Sequence, residues 1–90
     1  MRFVRDLKKA TNNIAKHGVS FEEAATLFGD PLALTVPDPV HPVGEYRFLT
    51  LGLTTTARLV VVSHAERVDD EIRIISARVA ERSERKDYEG

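Results

Sequence analysis

Cysteine and tryptophan are absent from this sequence, and so is any long apolar run. Without cysteine, the chain cannot form disulfides, thiolate nucleophiles or cysteine-based zinc sites. Without a run of ~18 apolar residues, we expect no membrane-spanning helix. The first residues carry charges where a secretory signal requires an apolar segment. The sequence therefore predicts a cytoplasmic protein that does not bind a membrane.

An excess of positive charge is also absent, since the formal net charge is −1 at pH 7. This balance counts against a simple nucleic-acid-binding domain, which is usually basic. The cations are nevertheless concentrated in two regions near the ends of the chain. They are Arg2, Arg5, Lys8, Lys9 and Lys16 in the first region and Arg67, Arg73, Arg78, Arg82, Arg85 and Lys86 in the second. A small basic surface is therefore compatible with this composition.

The sequence also lacks the motifs that bind metals or nucleotide phosphates. His17, His41 and His64 are too far apart for a metal-ligand spacing. There is no glycine-rich phosphate loop and no Gly-x-Ser-x-Gly elbow. We therefore expect no metal and no cofactor.

The remaining pattern predicts one domain, residues 1–90, with helices first and strands after them. Helical spacing of apolar residues predicts helices at 6–17, 21–28 and 79–88. Apolar runs bounded by turn residues predict strands at 32–36, 45–53, 58–67 and 71–76, the third of them central, with residues 3 and 4 as a brief edge strand at most. The order predicts an α+β fold in which two N-terminal helices pack on an antiparallel sheet of about four strands, followed by a C-terminal helix.

The junction between the first two helices is the most sharply defined stretch. Gly18 can adopt the left-handed conformation that ends a helix, and Ser20 can cap the next one. Glu23 would complete a capping box by reaching back to the Ser20 N–H. Lys16 and His17 then occupy the last helical turn, where the helix dipole favours positive charge. Two cations held in this way are suited to meeting a phosphate.

The first helix has a predicted start and a predicted buried face. Asp6 is the expected N-cap. The residues that recur at helical spacing and are expected to face the core are Leu7, Ala10, Thr11 and Ile14. Asn13 is expected to point away from it.

A polar cluster is predicted from the pairing of the two longest strands. A four-residue turn after Leu53 would place Arg47 opposite His64. The same register would place Glu45 opposite Glu66, with all four polar side chains on one face. A shift of one residue would undo this arrangement.

The predicted cluster contains the groups needed to cleave RNA without a metal. A base would remove the proton of the ribose 2′-hydroxyl, and an acid would protonate the leaving 5′-oxygen. Guanidinium groups would stabilise the charge that develops on phosphorus, and Arg73 could join them from the next strand. The alternative is that these residues form ordinary solvated cross-strand ion pairs.

Several segments together resemble the BrnT family of bacterial toxins. They are Lys-His-Gly-Val-Ser-Phe-Glu-Glu-Ala at 16–24, Gly-Asp-Pro-Leu at 29–32, Gly-Glu-x-Arg at 44–47, Val-Val-Val-Ser-His-Ala-Glu-Arg at 60–67, Arg-Ile-Ile-Ser-Ala-Arg at 73–78 and Glu-Arg-x-Asp-Tyr-Glu at 84–89. The resemblance implies a toxin of a type II toxin–antitoxin system with a fold like that of RelE-type ribonucleases. It also implies metal-independent RNA cleavage that inhibits translation.

The resemblance further implies a protein partner. A small BrnA-like antitoxin would neutralise the toxin in a complex of two toxins and two antitoxins. DNA would be bound only through the ribbon-helix-helix part of the antitoxin, at the promoter that the complex represses.

The residues and the resemblance together give predicted roles. The residues predicted to act in catalysis are Lys16, Glu45, Arg47, His64, Glu66 and Arg78, and those predicted to bind substrate are His17, Arg67 and Arg73. The cations would bind phosphate, and Glu66 would orient a neighbouring cation. Glu45 and His64 would transfer protons, and which of them is the base is left open.

One position departs from the family pattern. The family shows a Trp-Asp pair near the N-terminus, where this chain has Arg5-Asp6. The missing ring would either contact RNA or Lys16, or only pack against the protein. The missing tryptophan and the near-neutral net charge favour an alternative function, in which the chain is an inactive toxin homologue that only binds its antitoxin and tunes repression. A general nucleic-acid-binding domain is disfavoured, because no exposed aromatic residues alternate with the basic ones.

Overall fold

The computed structural model describes residues 2–39, 46–66 and 70–90. Its strands are β1 (Arg2–Val4), β2 (Leu34–Pro37), β3 (Arg47–Leu53), β4 (Leu59–Glu66) and β5 (Glu71–Val79). Its helices are α1 (Leu7–His17), α2 (Phe21–Ala25), which a 3₁₀ turn at Thr26–Gly29 extends, and α3 (Arg82–Glu89). The predicted α+β fold class is confirmed.

The strands form one mixed sheet in the order β1-β5-β4-β3-β2. β1 runs parallel to β5, with Phe3 beside Ile72, and the other neighbouring strands are antiparallel. The predicted antiparallel sheet of about four strands is therefore wrong in two respects, since the sheet has five strands and one of its pairs is parallel. The brief edge strand predicted at residues 3 and 4 is present as β1, but with three residues, two of them exposed, its pattern is too short to predict a parallel partner.

The main core lies between the first two helices and one face of the sheet, which we call the helix face. Val60 and Val62 of the central strand β4 are fully buried there. Phe21 and Ala24 of α2 pack against them in the same cluster. The predicted central position of this strand is confirmed.

The buried face of α1 differs from the prediction. Ala10 and Asn13 are buried, whereas Leu7 is 70% exposed, Ile14 is 50% exposed and Thr11 is exposed as well. The Asn13 carboxamide faces inward because it bonds the backbone of Ala77 on β5. The predicted N-cap of α1 is confirmed, since its side chain accepts two backbone N–H bonds at the start of the helix.

The predicted capping box of α2 is half correct. The Ser20 hydroxyl accepts from the Glu23 N–H at 3.0 Å, as predicted. The Glu23 carboxylate does not complete the box, because it accepts from Arg58 Nε at 2.8 Å and from the hydroxyls of Thr54 and Thr56. The hydrogen bond from Arg58 lowers the pKa of Glu23 to about 2. The carboxylate thus ties α2 to the β3–β4 hairpin instead of capping the helix.

The other face of the sheet is partly covered by α3. We call it the arginine face, because the strand register places Arg47, Arg73 and Arg78 on it. Leu59, Val61 and Ala80 form a second buried cluster on this side.

The helix α3 begins at Arg82 rather than at residue 79, because β5 continues to Val79. No residue of α3 is buried, yet the helix is anchored near its end. The Tyr88 hydroxyl donates to Asp30 Oδ2 at 2.5 Å. This bond lowers the pKa of Asp30 and raises that of Tyr88. None of the helices in the described ranges is long and apolar enough to cross a bilayer.

Candidate functional site

The hairpin between β3 and β4 is one residue longer than predicted. Leu53 pairs with Leu59, so five residues connect the strands instead of four. Ala57 takes a left-handed conformation in this connection, with φ of 64°. A shift of one residue moves side chains to the other face of a sheet. The predicted placement of Arg47 opposite His64 is therefore wrong.

Arg47 and Arg73 lie on either side of Ala65 on the arginine face. Ala65 pairs with Arg47 of β3 and with Arg73 of β5. Both arginines are half-buried, and their Nε atoms are shielded from solvent. The small side chain of Ala65 leaves room between two long cationic side chains. This arginine pair can hold an anion above the centre of the sheet.

A bulge in β5 brings a third arginine to the same face. Arg73 and Arg78 are five residues apart, a spacing that would place them on opposite faces of a regular strand. The pairing of β5 with β4 shifts at Ile75, so Arg78 lies opposite Val61 on the arginine face. The structure therefore brings the three predicted arginines together on one surface.

The charge of Arg78 is already paired. Its two terminal nitrogens donate to the two oxygens of Glu84 at 2.8 and 2.9 Å. This bidentate bond raises the pKa of Arg78 and lowers the pKa of Glu84. Glu84 also accepts from the Glu81 N–H at 2.8 Å, which caps α3. Arg78 thus links the arginine face to the first turn of α3.

The end of α1 places two further candidates beside β5. Gly18 adopts φ of 68° and ends the helix, as predicted. Lys16 and His17 line a cavity of about 180 Å³ together with Ile75 and Ser76. Ser76 pairs with a residue of β4 that faces the arginine side, so the cavity borders the arginine face. Lys16 is exposed and His17 is half-buried, and both can meet a ligand from solvent.

His64 is separated from this surface. It lies on the helix face with no exposed area. Phe28 meets its ring edge-on with centroids 5.0 Å apart, and Phe48 stacks on it at 5.9 Å. Burial lowers the pKa of His64 to about 4, so the ring is neutral at pH 7. A buried neutral imidazole cannot reach a substrate bound on the arginine face.

Hydrogen bonds connect His64 to the neighbouring strands. Its Nε2 lies 2.7 Å from the hydroxyl oxygen of Thr50. That hydroxyl is 2.8 Å from the hydroxyl of Thr35 on the edge strand β2. The Glu66 carboxylate is 3.8 Å from His64 Nδ1, so Glu66 lies with His64 rather than with Arg47. These contacts join three neighbouring strands across the helix face.

Two of the predicted site residues, Glu45 and Arg67, lie outside the described residues.

Tyr46 was not among the predicted site residues. It directly precedes Arg47, lies just outside β3 and is 76% exposed. An aromatic residue beside an arginine was the available signal in the sequence. Within the described ranges, no three His, Asp or Glu side chains are placed to hold a metal ion.

The sequence and the fold were compared with known proteins. A family model described as "Ribonuclease toxin, BrnT, of type II toxin-antitoxin system" matches residues 6–84. The fold is similar to the crystal structure of the Brucella abortus ribonuclease toxin BrnT, with a TM-score of 0.66 and 21% sequence identity. The match covers 91% of this chain and 99% of that one, and at this identity it shows the fold alone. No curated protein matches the sequence.

Proposed function

The chain belongs to the BrnT family of ribonuclease toxins of type II toxin–antitoxin systems, and we propose that it cleaves RNA on the arginine face without a metal. The observation that carries this proposal is the arginine pair, Arg47 and Arg73, on either side of Ala65. Guanidinium groups recognise phosphate through parallel N–H bonds. The 2′-hydroxyl of the ribose would attack the adjacent phosphorus, and the 5′-oxygen would leave.

The arginine pair would act mainly on the transition state. Negative charge grows on the non-bridging phosphate oxygens during the attack, and fixed cations stabilise it. Arg47 and Arg73 are half-buried on the two strands that flank β4, so the sheet holds them in place before the substrate arrives. Loss of one such donor typically lowers kcat by ~10²–10³. Arg78 would contribute only when phosphate replaces the Glu84 carboxylate beside it.

Proton transfer requires side chains that a substrate can reach. We assign this task to His17 in place of His64, because His17 lies in the cavity that borders the arginine face. Lys16 in the same cavity would bind the neighbouring phosphate. Glu45 as a proton-transfer residue and Arg67 as a substrate-binding residue stay predictions from the sequence. Glu66 and His64 are left out of the proposed chemistry because they lie on the helix face.

One of the two grounds for the inactive-homologue alternative, beside the near-neutral net charge, is the family tryptophan that Arg5 replaces. Arg5 forms an ion pair with Glu22 of α2. Both line a cavity of about 200 Å³ with Phe21, Ala25 and other residues of the helix side. A ring at this position would pack against the helices and would not reach the arginine pair. The presence of Arg5 in place of tryptophan is therefore no evidence that the active site has been lost.

The proposed partners follow from the family. Membership of a type II system implies an antitoxin that binds the toxin. We propose that this partner is BrnA-like, that two toxins bind two antitoxins, and that DNA is bound only through the antitoxin. Inhibition of translation in the cytoplasm and a mechanism like that of RelE-type ribonucleases are parts of the same proposal.

The test is RNA cleavage by the purified chain in EDTA, followed by analysis of the fragment ends. Fragments that end in a 2′,3′-cyclic phosphate are expected from attack by the 2′-hydroxyl. The double variant Arg47→Ala/Arg73→Ala should lose this activity. Arg82→Ala on the exposed surface of α3 is the matched control for charge and should retain it. Intact RNA with the wild-type chain, even in the presence of ribosomes, would contradict the proposal.

A further inference from the structure

A groove runs along the arginine face between α3 and the strands β2, β3 and β4. Its volume is about 330 Å³. The floor is formed by apolar side chains from three adjacent strands, Leu34, Val36, Leu49, Leu51 and Val61. The wall on the α3 side is formed by Glu84 and Asp87. We call this feature the α3 groove.

The outer end of the α3 groove lies at the edge of the sheet. β2 is the last strand in the sheet order, and all four of its residues are exposed. Leu34 is 44% exposed and Val36 is 54% exposed. Proteins commonly protect apolar edge strands from contact with other chains. An exposed apolar strip that continues into a groove marks a surface for a protein partner.

The charge of the wall narrows the choice of partner. Glu84 and Asp87 are three residues apart on α3, so they lie on neighbouring turns of the same side. Glu84 is paired with Arg78, so Asp87 supplies the carboxylate of the wall that a ligand can meet. A carboxylate beside an apolar floor favours a segment that carries apolar side chains together with Lys or Arg. RNA is disfavoured here, because its phosphates would face the Asp87 carboxylate. The arginine pair and the α3 groove therefore suit opposite kinds of ligand.

The two sites are adjacent on the same face of the sheet. Leu49 in the groove floor and Arg47 are two residues apart on β3 and project to the same side. Such neighbours are separated by roughly 7 Å along a strand. A segment bound in the groove would therefore lie against the arginine pair and obstruct a polynucleotide there.

We propose that the α3 groove is the docking site for an apolar, basic segment of the antitoxin. The proposal rests on the proposed function only in that it needs the antitoxin partner, and it does not need RNA cleavage. The apolar side chains of the segment would fill the floor beside Leu34 and Val36. Its Lys or Arg side chains would pair with Asp87.

The test measures the affinity of the full chain for the antitoxin of the same toxin–antitoxin pair by isothermal titration calorimetry. Val36→Asp places a charge on the apolar floor, and Asp87→Lys reverses the charge of the wall. Each is expected to raise Kd about tenfold or more. Leu7→Asp on the exposed side of α1 and Glu89→Lys at the end of α3 are the matched controls and should leave Kd unchanged.

The outcomes separate this proposal from the ribonuclease proposal. Thermal unfolding of each variant first establishes that it is folded, and Val36 and Asp87 are both exposed, so both substitutions should be tolerated. Wild-type affinity in both groove variants would overturn the docking site, whatever the RNA assay gives. Absence of any binding by the wild-type chain would overturn it as well. Loss of RNA affinity, with antitoxin affinity retained, would make RNA the occupant and also overturn it.

Discussion

Asn13 of α1 and Ala77 of β5 are joined by two hydrogen bonds. The Asn13 Oδ1 accepts from the Ala77 N–H at 3.0 Å, and its Nδ2 donates to the Ala77 carbonyl at 2.8 Å. The same Nδ2 donates to the Val19 carbonyl at 2.8 Å. β1 pairs with β5 only as far as Arg73, so the edge of β5 beyond it needs another partner. The carboxamide takes the place of that strand and fixes α1 to the sheet.

Asn13→Ala should therefore destabilise the fold. Three backbone groups of Ala77 and Val19 would lose their partners, and each unsatisfied buried group costs about 1–3 kcal/mol. We expect the free energy of unfolding in urea to fall by at least about 2 kcal/mol. Asn12→Ala at the exposed neighbouring position is the control and should change it by less than about 0.5 kcal/mol. Equal losses in the two variants would contradict the assigned role.

Stability should also depend on pH through His64. The pKa of His64 is about 4 in the folded chain, compared with its ordinary value of 6.5. Between these values the unfolded chain binds a proton that the folded chain does not, so acid favours unfolding. The free energy of unfolding should fall as pH decreases from 7 towards 4, by about 3 kcal/mol in total, with no further loss from this group below pH 4.

Urea unfolding at pH 7.5 and 5.5 tests this dependence in a range where carboxylates stay charged. His64→Gln cannot take up the proton and keeps a group that can bond Thr50. Its stability should differ far less between the two pH values than that of the wild-type chain. A variant that retained the full dependence would assign the titration to another group.

The features of the fold that were predicted correctly depend on residues that are close together in the chain. The caps at Asp6 and Ser20 and the helix end at Gly18 were predicted correctly, since each depends on residues within one turn. Asn13 was predicted to be exposed, because its partner Ala77 is 64 residues away in the chain. Hydrophobic periodicity counts the Asn13 carboxamide as a polar side chain and therefore places it on the exposed side of the helix. It contains no information about distant backbone groups that this carboxamide can hydrogen-bond.

In the candidate site, too, the sequence predicted residue types but not the long-range geometry that brings them together. The sequence could identify the arginines by type, but their shared face depends on two irregularities in the sheet. The five-residue hairpin turns His64 away from Arg47, and the bulge at Ile75 turns Arg78 towards Arg73. Neither irregularity has a glycine to mark it, and Ala57 takes the left-handed conformation without one. The residue pattern therefore could not predict the pairing register of the strands.

The cavity beside Arg5 predicts a stabilising substitution. Arg5→Trp would fill part of the space of about 200 Å³ against Phe21 and Ala25. Burial of the ring should contribute about 1.5–3 kcal/mol, whereas the exposed ion pair with Glu22 contributes ~0–1 kcal/mol. We expect a higher unfolding midpoint for Arg5→Trp than for wild type or Arg5→Ala, which removes the ion pair without filling the cavity. A midpoint for Arg5→Trp no higher than that of Arg5→Ala would contradict the packing role.

Tyr46 should contribute to RNA affinity through its ring. It is 76% exposed and lies one residue before β3, outside the alternating part of the strand, so a base that extends from the phosphate on Arg47 can stack on it. Stacking on an aromatic side chain is worth ~1–3 kcal/mol per base. Tyr46→Ala should therefore raise the Kd for a single-stranded RNA oligonucleotide about tenfold, measured by fluorescence anisotropy. Tyr46→Phe keeps the ring without the hydroxyl and should bind like the wild-type chain, and equal weakening in both variants would assign the contact to the hydroxyl instead.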